Sequence, residues 1–455
     1  MGMGRRKRER QQEMWVATAS LPDVPRHVFY EKLNQLLDEH DFDTFVEDLC
    51  EPYYAANVGR DSIPPGLYFR MLFVGYFEDI DSQRGIAWRC ADSRSLRSFL
   101  FLETYESSPD HSSLSRISGR LPLEVYEQVF CFVLGLAEEH KLLSNKTVAV
   151  DSTYLEANAA MKSIVRKETG EDWREYVKRL AEAEGIEIQN DEDLRKYDKK
   201  RKNKKVSNAE WESQADPDSR IMKMKDGRTH LTYKAEHTID LESEFVLDAT
   251  VYHGDAADTA TLTESLSSAQ KNLEHADVHR DIEEVVADKG YHANGTLANC
   301  REWGLFGVRT YIPEPDSPYE RRWTDKPPEY KEAVYANRRR MNGDRGKRLQ
   351  KKRSELVERS FAHICETGGA RRSWLRGIEK VNKRYKMVAA ARNLGLMMRS
   401  LFGIGKPRCL QGDFSFAYLL HVVRVVMRTA LSTPNRLEQS TPSPNTKFRL
   451  SITAI

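Results

Sequence analysis

The chain lacks the features that mark secreted, disulfide-bonded or membrane proteins. Its six cysteines are widely scattered with no CxxC pair, which argues against a zinc site or a disulfide framework and fits a reducing cytosol. No run of about eighteen apolar residues is present, so no transmembrane helix is expected. The basic start, MGMGRRKRERQQ, leads into no apolar signal-peptide segment. We therefore expect a soluble, cytoplasmic protein with no membrane partner.

The net charge is small, but the charges are segregated. The 455 residues include 71 basic and 69 acidic ones, and a chain of this length predicts two or three domains. Residues 338–353 contain nine Lys or Arg and one acid, Asp344, and residues 199–205 are almost as basic. Such runs indicate a polyanionic partner, nucleic acid above all, although a solvated face is the commoner reason for one.

Residues 21–145 are predicted to be all-α, after a disordered basic arm at residues 1–20. Apolar residues recur every three or four positions in HVFYEKLNQLLDEH and GLYFRMLFVGYFEDI, as amphipathic helices require. A small all-α domain and a helical DNA-binding region both fit this pattern. The spacing identifies no helix-turn-helix, so no recognition helix is assigned.

After residue 145 the pattern changes to short strands that alternate with helices. We expect an α/β domain over residues 146–403 with a mixed five-stranded sheet flanked by helices, in which the first and fourth strands are neighbours. Its predicted strands are 148–150, 230–240, 244–253, 283–288 and 305–313. Its predicted helices are 258–273, 293–304, a long one from about residue 347, and 379–403.

Two insertions and a C-terminal segment complete the expected organisation. Residues 160–225 are predicted to be a charged helical insertion, and residues 314–346 an irregular insertion rich in basic and aromatic residues. Residues 404–455 are predicted to form a C-terminal helix and a disordered tail rich in Ser, Thr and Pro.

Three carboxylates hold equivalent places in this pattern. Asp151 follows the apolar run Val148–Val150, Asp288 follows the fourth strand, and Glu358 lies on the long helix. Asp-Ser-Thr after a strand is also good turn chemistry, so Asp151 taken alone is equally well read as a turn or cap residue. The three carboxylates together offer hard oxygen ligands, which suit Mg²⁺ or Mn²⁺. Two such ions about 3.5–4 Å apart can drive phosphoryl transfer.

VAVDST, VVADKGY and RSELVERSF resemble the three catalytic motifs of DDE transposases of bacterial insertion sequences, whose catalytic domain has the ribonuclease H-like fold. The segment GYFEDIDSQRGIAWRCADSRSLRSFL also resembles the helical region that precedes this domain in related transposases. The resemblance covers about residues 146–400 and implies that Asp151, Asp288 and Glu358 bind the catalytic Mg²⁺ or Mn²⁺, expected as two ions. It further implies cleavage of double-stranded DNA at terminal inverted repeats and strand transfer into target DNA, by a homodimer on DNA.

Two departures from the family pattern concern the basic partners of the glutamate. Relatives often have an arginine four residues before it and a lysine seven after it, where this chain has Ser354 and Cys365. Arg353 is the candidate for the phosphate contact instead. Two other acids compete for a place in the site: Asp258, which we expect to cap a helix, and Glu355, which we expect to be solvent-exposed or salt-bridged.

Several further residues have two interpretations each. Tyr233, Lys234, His237 and Asp240 either line the site or occupy an exposed strand face. Trp303, Tyr319 and Trp323 either stack on flipped bases or are part of the core packing or of plain insertion structure. The predicted DNA contacts are Lys289, Tyr291, Arg348, Lys352 and Arg353. A metal-dependent nuclease that cuts without joining, and a domesticated copy that only binds DNA, are the alternative functions.

Overall fold

The computed structural model describes residues 27–55, 62–103, 105–144, 146–200, 208–224, 226–303, 307–316 and 321–410. Nearly all of them lie in one compact unit, Met1–Pro407, and the description below is confined to it. The predicted basic arm at residues 1–20 and the predicted tail after residue 410 lie outside the described residues. So do Tyr319 and most of the basic run at residues 199–205.

Helices alone fill the chain before the first strand in the described residues, as the apolar periodicity predicts. Arg70 lies on the third of them and is almost fully buried. Its guanidinium binds Asp38 at 2.9 Å and Asp43 at 2.8 Å, and so ties the first three helices together. The helices are α1 (Val28–Glu39), α2 (Phe42–Cys50), α3 (Pro65–Phe77), α4 (Gln83–Asp92), α5 (Arg94–Phe99), α6 (His111–Arg120) and α7 (Leu123–Glu139).

A six-stranded mixed sheet forms the centre of the rest of the chain. Its central strand β1 pairs antiparallel with β5 and parallel with β7, and β7 pairs parallel with β8. On its other edge, β5 pairs antiparallel with β4 and β6. The prediction that the first and fourth expected strands are neighbours is confirmed by the β1–β7 pair. The strands are β1 (Thr147–Glu156), β2 (Ile164–Arg166), β3 (Trp211–Ser213), β4 (Arg220–Lys223), β5 (Thr229–Asp240), β6 (Val246–His253), β7 (Glu284–Ala287) and β8 (Arg309–Tyr311).

The two insertions contain more regular structure than the sequence predicts. Residues 160–225 hold β2, β3 and β4 as well as helices α8 (Trp173–Ala183) and α9 (Asp191–Lys200). β2 and β3 form a separate antiparallel pair, whereas β4 becomes a sixth strand because β5 extends beyond the end of β6 and offers it a free edge. Residues 314–346, predicted to be irregular, contain α12 (Pro328–Asn342).

The remaining helices cover the sheet. They are α10 (Asp258–His275), α11 (Asn294–Glu302), α13 (Asp344–Phe361), which continues into a π-helical turn at Ala362–Thr367, and α14 (Ile378–Phe402). Helix α14 is buried almost all round because it packs on β6 and also on α3 and α7. Its Lys386 therefore has a buried partner, Asp248, at 2.7 Å. No described helix is both long and apolar enough to span a bilayer.

Helix α14 also protects the outer edge of β6. The amide of Asn382 accepts from Val251 N at 2.7 Å and donates to Val251 O at 2.8 Å. Asn393 does the same for Val246, at 3.0 and 2.8 Å. Each side-chain amide thus replaces a residue of a missing neighbouring strand, which satisfies buried backbone groups and blocks edge-to-edge association.

The paired amide of Asn393 gives a stability prediction. Asn393→Ala leaves the N–H and C=O of Val246 without partners in a buried place, so the free energy of unfolding should fall by about 2–5 kcal/mol. Urea denaturation followed by circular dichroism measures this change. The matched control is Asn342→Ala, at the exposed end of α12, which should change it by less than about 0.5 kcal/mol. Equal effects of both substitutions would contradict the edge-protecting role.

Candidate active site

Asp151 lies where β1 loses one of its two neighbours. The parallel pairing with β7 ends at Val150↔Ala287, whereas the pairing with β5 continues to Glu156. The sequence predicts that the strand ends before Asp151, but the strand continues to Glu156. The backbone of Asp151 is held by β5 on one side, and its half-buried carboxylate sits at an open edge on the other. This arrangement combines a rigid support with access from outside.

Asp288 follows the last paired residue of β7 and so lies beside Asp151. Adjacent strands are about 4.7–4.9 Å apart, and both aspartates come directly after the register pair Val150↔Ala287. Asp288 is exposed and caps a short 3₁₀ turn, Lys289–Tyr291, by accepting from Lys289 N at 2.6 Å. The predicted proximity of the two carboxylates follows directly from this parallel register.

Arg353 of α13 forms an ion pair with Asp151, with 2.7 Å between Nη1 and Oδ2. Burial is the main influence on the pKa of Asp151 and raises it above the ordinary value. The charge of Arg353 and the N–H of Ser152 pull this pKa down, while the carboxylates of Asp288 and Asp258 push it up. Burial and like charge outweigh the guanidinium, so Asp151 is a carboxylate that gains from a further cation.

Helix α13 crosses the carboxyl ends of the strands and presents Arg353, not Glu358, to Asp151. Its Gln350 donates to the carbonyl of Ala287 at 3.1 Å, and its Ser360 contacts His237 of β5 at 2.8 Å. Glu358 comes five residues after Arg353, about 140° further round the helix, and it is exposed. In the part of the chain that the structure describes, no three His, Cys, Asp or Glu side chains are arranged to hold a metal ion.

Asp258 is a residue whose place the sequence did not predict. It is not the cap of α10, because Ala257 holds that position and no side chain caps the helix. Instead its Oδ1 binds Lys234 Nζ at 2.7 Å and accepts from Ser152 Oγ at 3.2 Å. A Cβ on Gly290 would lie 2.7 Å from its Oδ2, so Asp258 contacts the turn that follows Asp288.

A buried polar network supports Asp258. Lys234 is 1% exposed and also binds Glu236 at 3.0 Å, and Glu236 accepts from the hydroxyl of Tyr291 at 2.9 Å. The only sequence signal for it was the alternation of polar residues in KAEHTID. Tyr233, Lys234, His237 and Asp240 are all buried, so the alternative of an exposed strand face is wrong.

The donor chemistry of the site fits a divalent cation. Asp151 and Asp288 offer hard carboxylate oxygens from two adjacent strands, the ligand type that Mg²⁺ and Mn²⁺ prefer. Asp258 is the third acid close to them, but Lys234 neutralises it. Glu355, expected at the surface or in a salt bridge, is exposed and paired with Arg359 at 2.6 Å, so that prediction is confirmed.

The expected DNA contacts differ in accessibility. Lys289, Arg348 and Lys352 are exposed. Tyr291 is buried and donates to Glu236, so its side chain is structural in this arrangement. Arg353 is 9% exposed and engaged by Asp151. Trp303 and Trp323, the candidates for stacking on flipped bases, pack against the core. Five described cysteines are buried thiols: Cys50, Cys90, Cys131, Cys300 and Cys365.

The Arg353–Asp151 ion pair predicts a pKa change in the metal-free protein. Arg353→Gln removes a charge that lowers the pKa of Asp151, so this pKa should rise and the midpoint of its titration should move to higher pH. Carboxyl ¹³C NMR of Asp-labelled protein measures it, with Asp151→Asn for assignment. Arg359→Gln is the control, because Arg359 binds Glu244 and Glu355 instead. An unchanged titration in Arg353→Gln would show that the pair is not formed in solution.

Comparison with known proteins locates two matched segments. Residues 20–120 match the family model described as "Transposase domain (DUF772)", and residues 317–398 match the "Transposase DDE domain". The second segment contains Arg353 and Glu358, whereas Asp151 and Asp288 lie between the two. No curated protein matches.

Among solved structures, the chain is similar to "Mos1 transposase paired-end complex with left transposon end", with 11% identity over 69% of this chain and 83% of that chain. The TM-score is 0.17, which is too low for any conclusion about fold or function.

Proposed function

The chain is a DDE transposase, and we propose that it cleaves DNA at the ends of its own element and joins the freed 3′-hydroxyl to target DNA. The observation that carries this proposal is the position of Asp151 and Asp288, each directly after the last register pair of the parallel strands β1 and β7, with α13 packed across these strands. The substrates would be terminal inverted repeats and target DNA, both double-stranded, bound by a homodimer.

We also propose that the sheet is ribonuclease H-like. The order β6-β5-β1-β7-β8, with three antiparallel strands followed by two parallel ones, supports this assignment. In it the central strand and its parallel neighbour carry the two aspartates. We also propose a domain boundary at about residue 146, where the N-terminal helices give way to the first strand. Helix α14 packs against α3 and α7 across this boundary.

Asp151, Asp288 and Glu358 are the residues we propose to hold Mg²⁺ or Mn²⁺, with two ions expected. When bound, such ions activate the attacking water or hydroxyl and stabilise the leaving oxygen of a phosphodiester. Asp151 and Asp288 bring negative charge together on a rigid edge, and Asp258, bound to the buried pair of Lys234 and Glu236, adds a third carboxylate close to Asp151. Arg353 holds Asp151 in this structure, and its guanidinium suits a phosphate once that carboxylate has another cation.

Lys289, Arg348 and Lys352 are the phosphate contacts we propose on the surface. Arg348 and Lys352 lie on the exposed face of α13, whose buried face meets the site, so a backbone that reaches the aspartates can also pass this face. Charge attraction of this kind positions DNA without reading its sequence. The helical N-terminal region is the proposed place for recognition of the element ends.

Two glutamates three residues apart on α13 allow a matched test of the site. Asp288→Asn and Glu358→Gln should each lower Mg²⁺-dependent cleavage of a labelled element end by more than about 100-fold, because each removes a proposed ligand. DNA binding and thermal stability should stay close to wild type. Glu355→Gln removes an exposed carboxylate paired with Arg359 and should cleave normally.

The products of the same assay separate the alternatives. A joined product with target DNA supports the transposase, whereas cleavage without joining would favour a nuclease. Full cleavage by Glu358→Gln would remove that residue from the proposed ligand set.

A further inference from the structure

Beyond Asp151, one edge of β1 is open over a short stretch. β5 occupies the other edge as far as Glu156, while β7 leaves this one after Val150. In the described residues the next backbone contact on the open edge is at Glu156, which donates to Arg371 O at 2.9 Å and accepts from Ser373 N at 2.8 Å. From Val150 to Glu156 is about 20 Å along an extended strand.

Two segments of the chain bound this open stretch of β1; we call the stretch together with these segments the cleft, and the segments its walls. The first wall is the turn of Asp288 and Lys289. The second is the segment at residues 371–376, which the bridge Glu156↔Arg372 fastens to the strand. Arg371 strengthens that attachment, because its Nη1 donates to Thr153 Oγ1 at 3.0 Å and to the carbonyl of Tyr154 at 3.1 Å. Asp151 thus lies between a turn that carries one acid and one base and a segment that carries three arginines, Arg371, Arg372 and Arg376.

The second wall presents an arginine supported by an aromatic ring. The guanidinium of Arg372 lies 4.8 Å from the ring centroid of Trp374, and Trp374 is 47% exposed. The indole N–H donates to Asp81 at 2.6 Å, which fixes the ring, and the Trp374 carbonyl accepts from the Asn158 side chain at 2.9 Å, which holds the backbone. A guanidinium that stacks through its face keeps its N–H edge available for an anion.

The remaining charges of this wall point to the same kind of ligand. Arg372 is close to one acid, Glu156, at 3.9 Å between partly exposed atoms, which is a weak contact. Arg376 is exposed. Two cations beside a site for phosphoryl transfer, with a fixed aromatic ring between them, complement the backbone of a nucleic acid.

We propose that residues 371–376 bind the DNA strand that enters the site, with Arg372 and Arg376 as contacts to its phosphates and Trp374 as the positioning residue that holds Arg372. This inference rests on the proposed function and names part of the surface that its substrate would use. It also explains why an exposed tryptophan is fixed by two hydrogen bonds.

The test is the salt dependence of DNA binding by the full chain. The probe is a duplex with a single-stranded 3′ extension, made from the DNA that flanks the coding sequence, and fluorescence anisotropy follows binding across a range of KCl. Each phosphate contact contributes about 0.7–0.9 to the slope of log K against log salt concentration. Arg372→Ala and Arg376→Ala should each lower the slope by about this amount, while Arg372→Lys and Arg376→Lys should keep it.

Two further variants separate contact from support. Trp374→Ala should lower the slope like Arg372→Ala, whereas Trp374→Phe keeps a ring under the guanidinium and should stay near wild type. Lys271→Ala is the control, since Lys271 is exposed on α10 about 20 Å along the helix from Asp258. Its slope should stay at the wild-type value. Thermal melting of every variant checks that the fold is kept.

Mg²⁺-dependent cleavage of the same DNA by the wild-type chain distinguishes the two ways of failing. If the wild-type chain binds and cuts the probe but Arg372→Ala and Arg376→Ala keep its salt slope, the inference on this wall is wrong and the proposed function stands. If the wild-type chain neither binds nor cuts the probe, the proposed function is overturned together with the inference.

Discussion

The parallel pairing of β1 with β7 covers four residue pairs, from Thr147↔Glu284 to Val150↔Ala287, and then stops while β5 continues along the other edge. Because of this difference in length, Asp151 has a rigid backbone and an open side. Asp288 is placed beside it by the same register, and the chain of β7 turns away directly afterwards. A longer β7 would close the cleft, and a shorter β5 would leave Asp151 on a loose end.

Collecting acids at this point has an electrostatic cost that buried cations reduce from two faces of the sheet. Asp151 faces α13 and binds Arg353. On the α10 side of the sheet, Asp258 at the start of α10 binds Lys234. The pKa of Asp151 is still raised, since burial and its acidic neighbours outweigh Arg353. A site with unneutralised carboxylates binds a cation more strongly than a neutral site does. The remaining repulsion between these acids is therefore consistent with the proposed metal binding.

The basic run at residues 338–353 shows how tertiary structure divides one sequence feature between two roles. Arg338 binds Glu314, Arg345 binds Glu284, and Arg353 binds Asp151. These arginines hold the helices α12 and α13 to the sheet and its flanking segment. The exposed cations outside these three ion pairs are Arg339, Lys347, Arg348, Lys351 and Lys352. A count of charges along the chain therefore overstates the surface available to DNA.

The sequence by itself determined the helical start, the order of the five expected strands and the four expected helices after residue 145, and the neighbouring positions of Asp151 and Asp288. These follow from local periodicity and from one register, which neighbouring residues specify. The structure alone decided that β1 continues past Asp151, that β4 joins the sheet, and that Asp258 binds Lys234. It also decided that Arg353 and not Glu358 meets Asp151, and that residues 371–376 lie beside the cleft. Each of these depends on the packing of segments far apart in the chain. The rotation of a helix about its axis and the presence of a free strand edge decide which residues meet, and neither can be read from local sequence patterns.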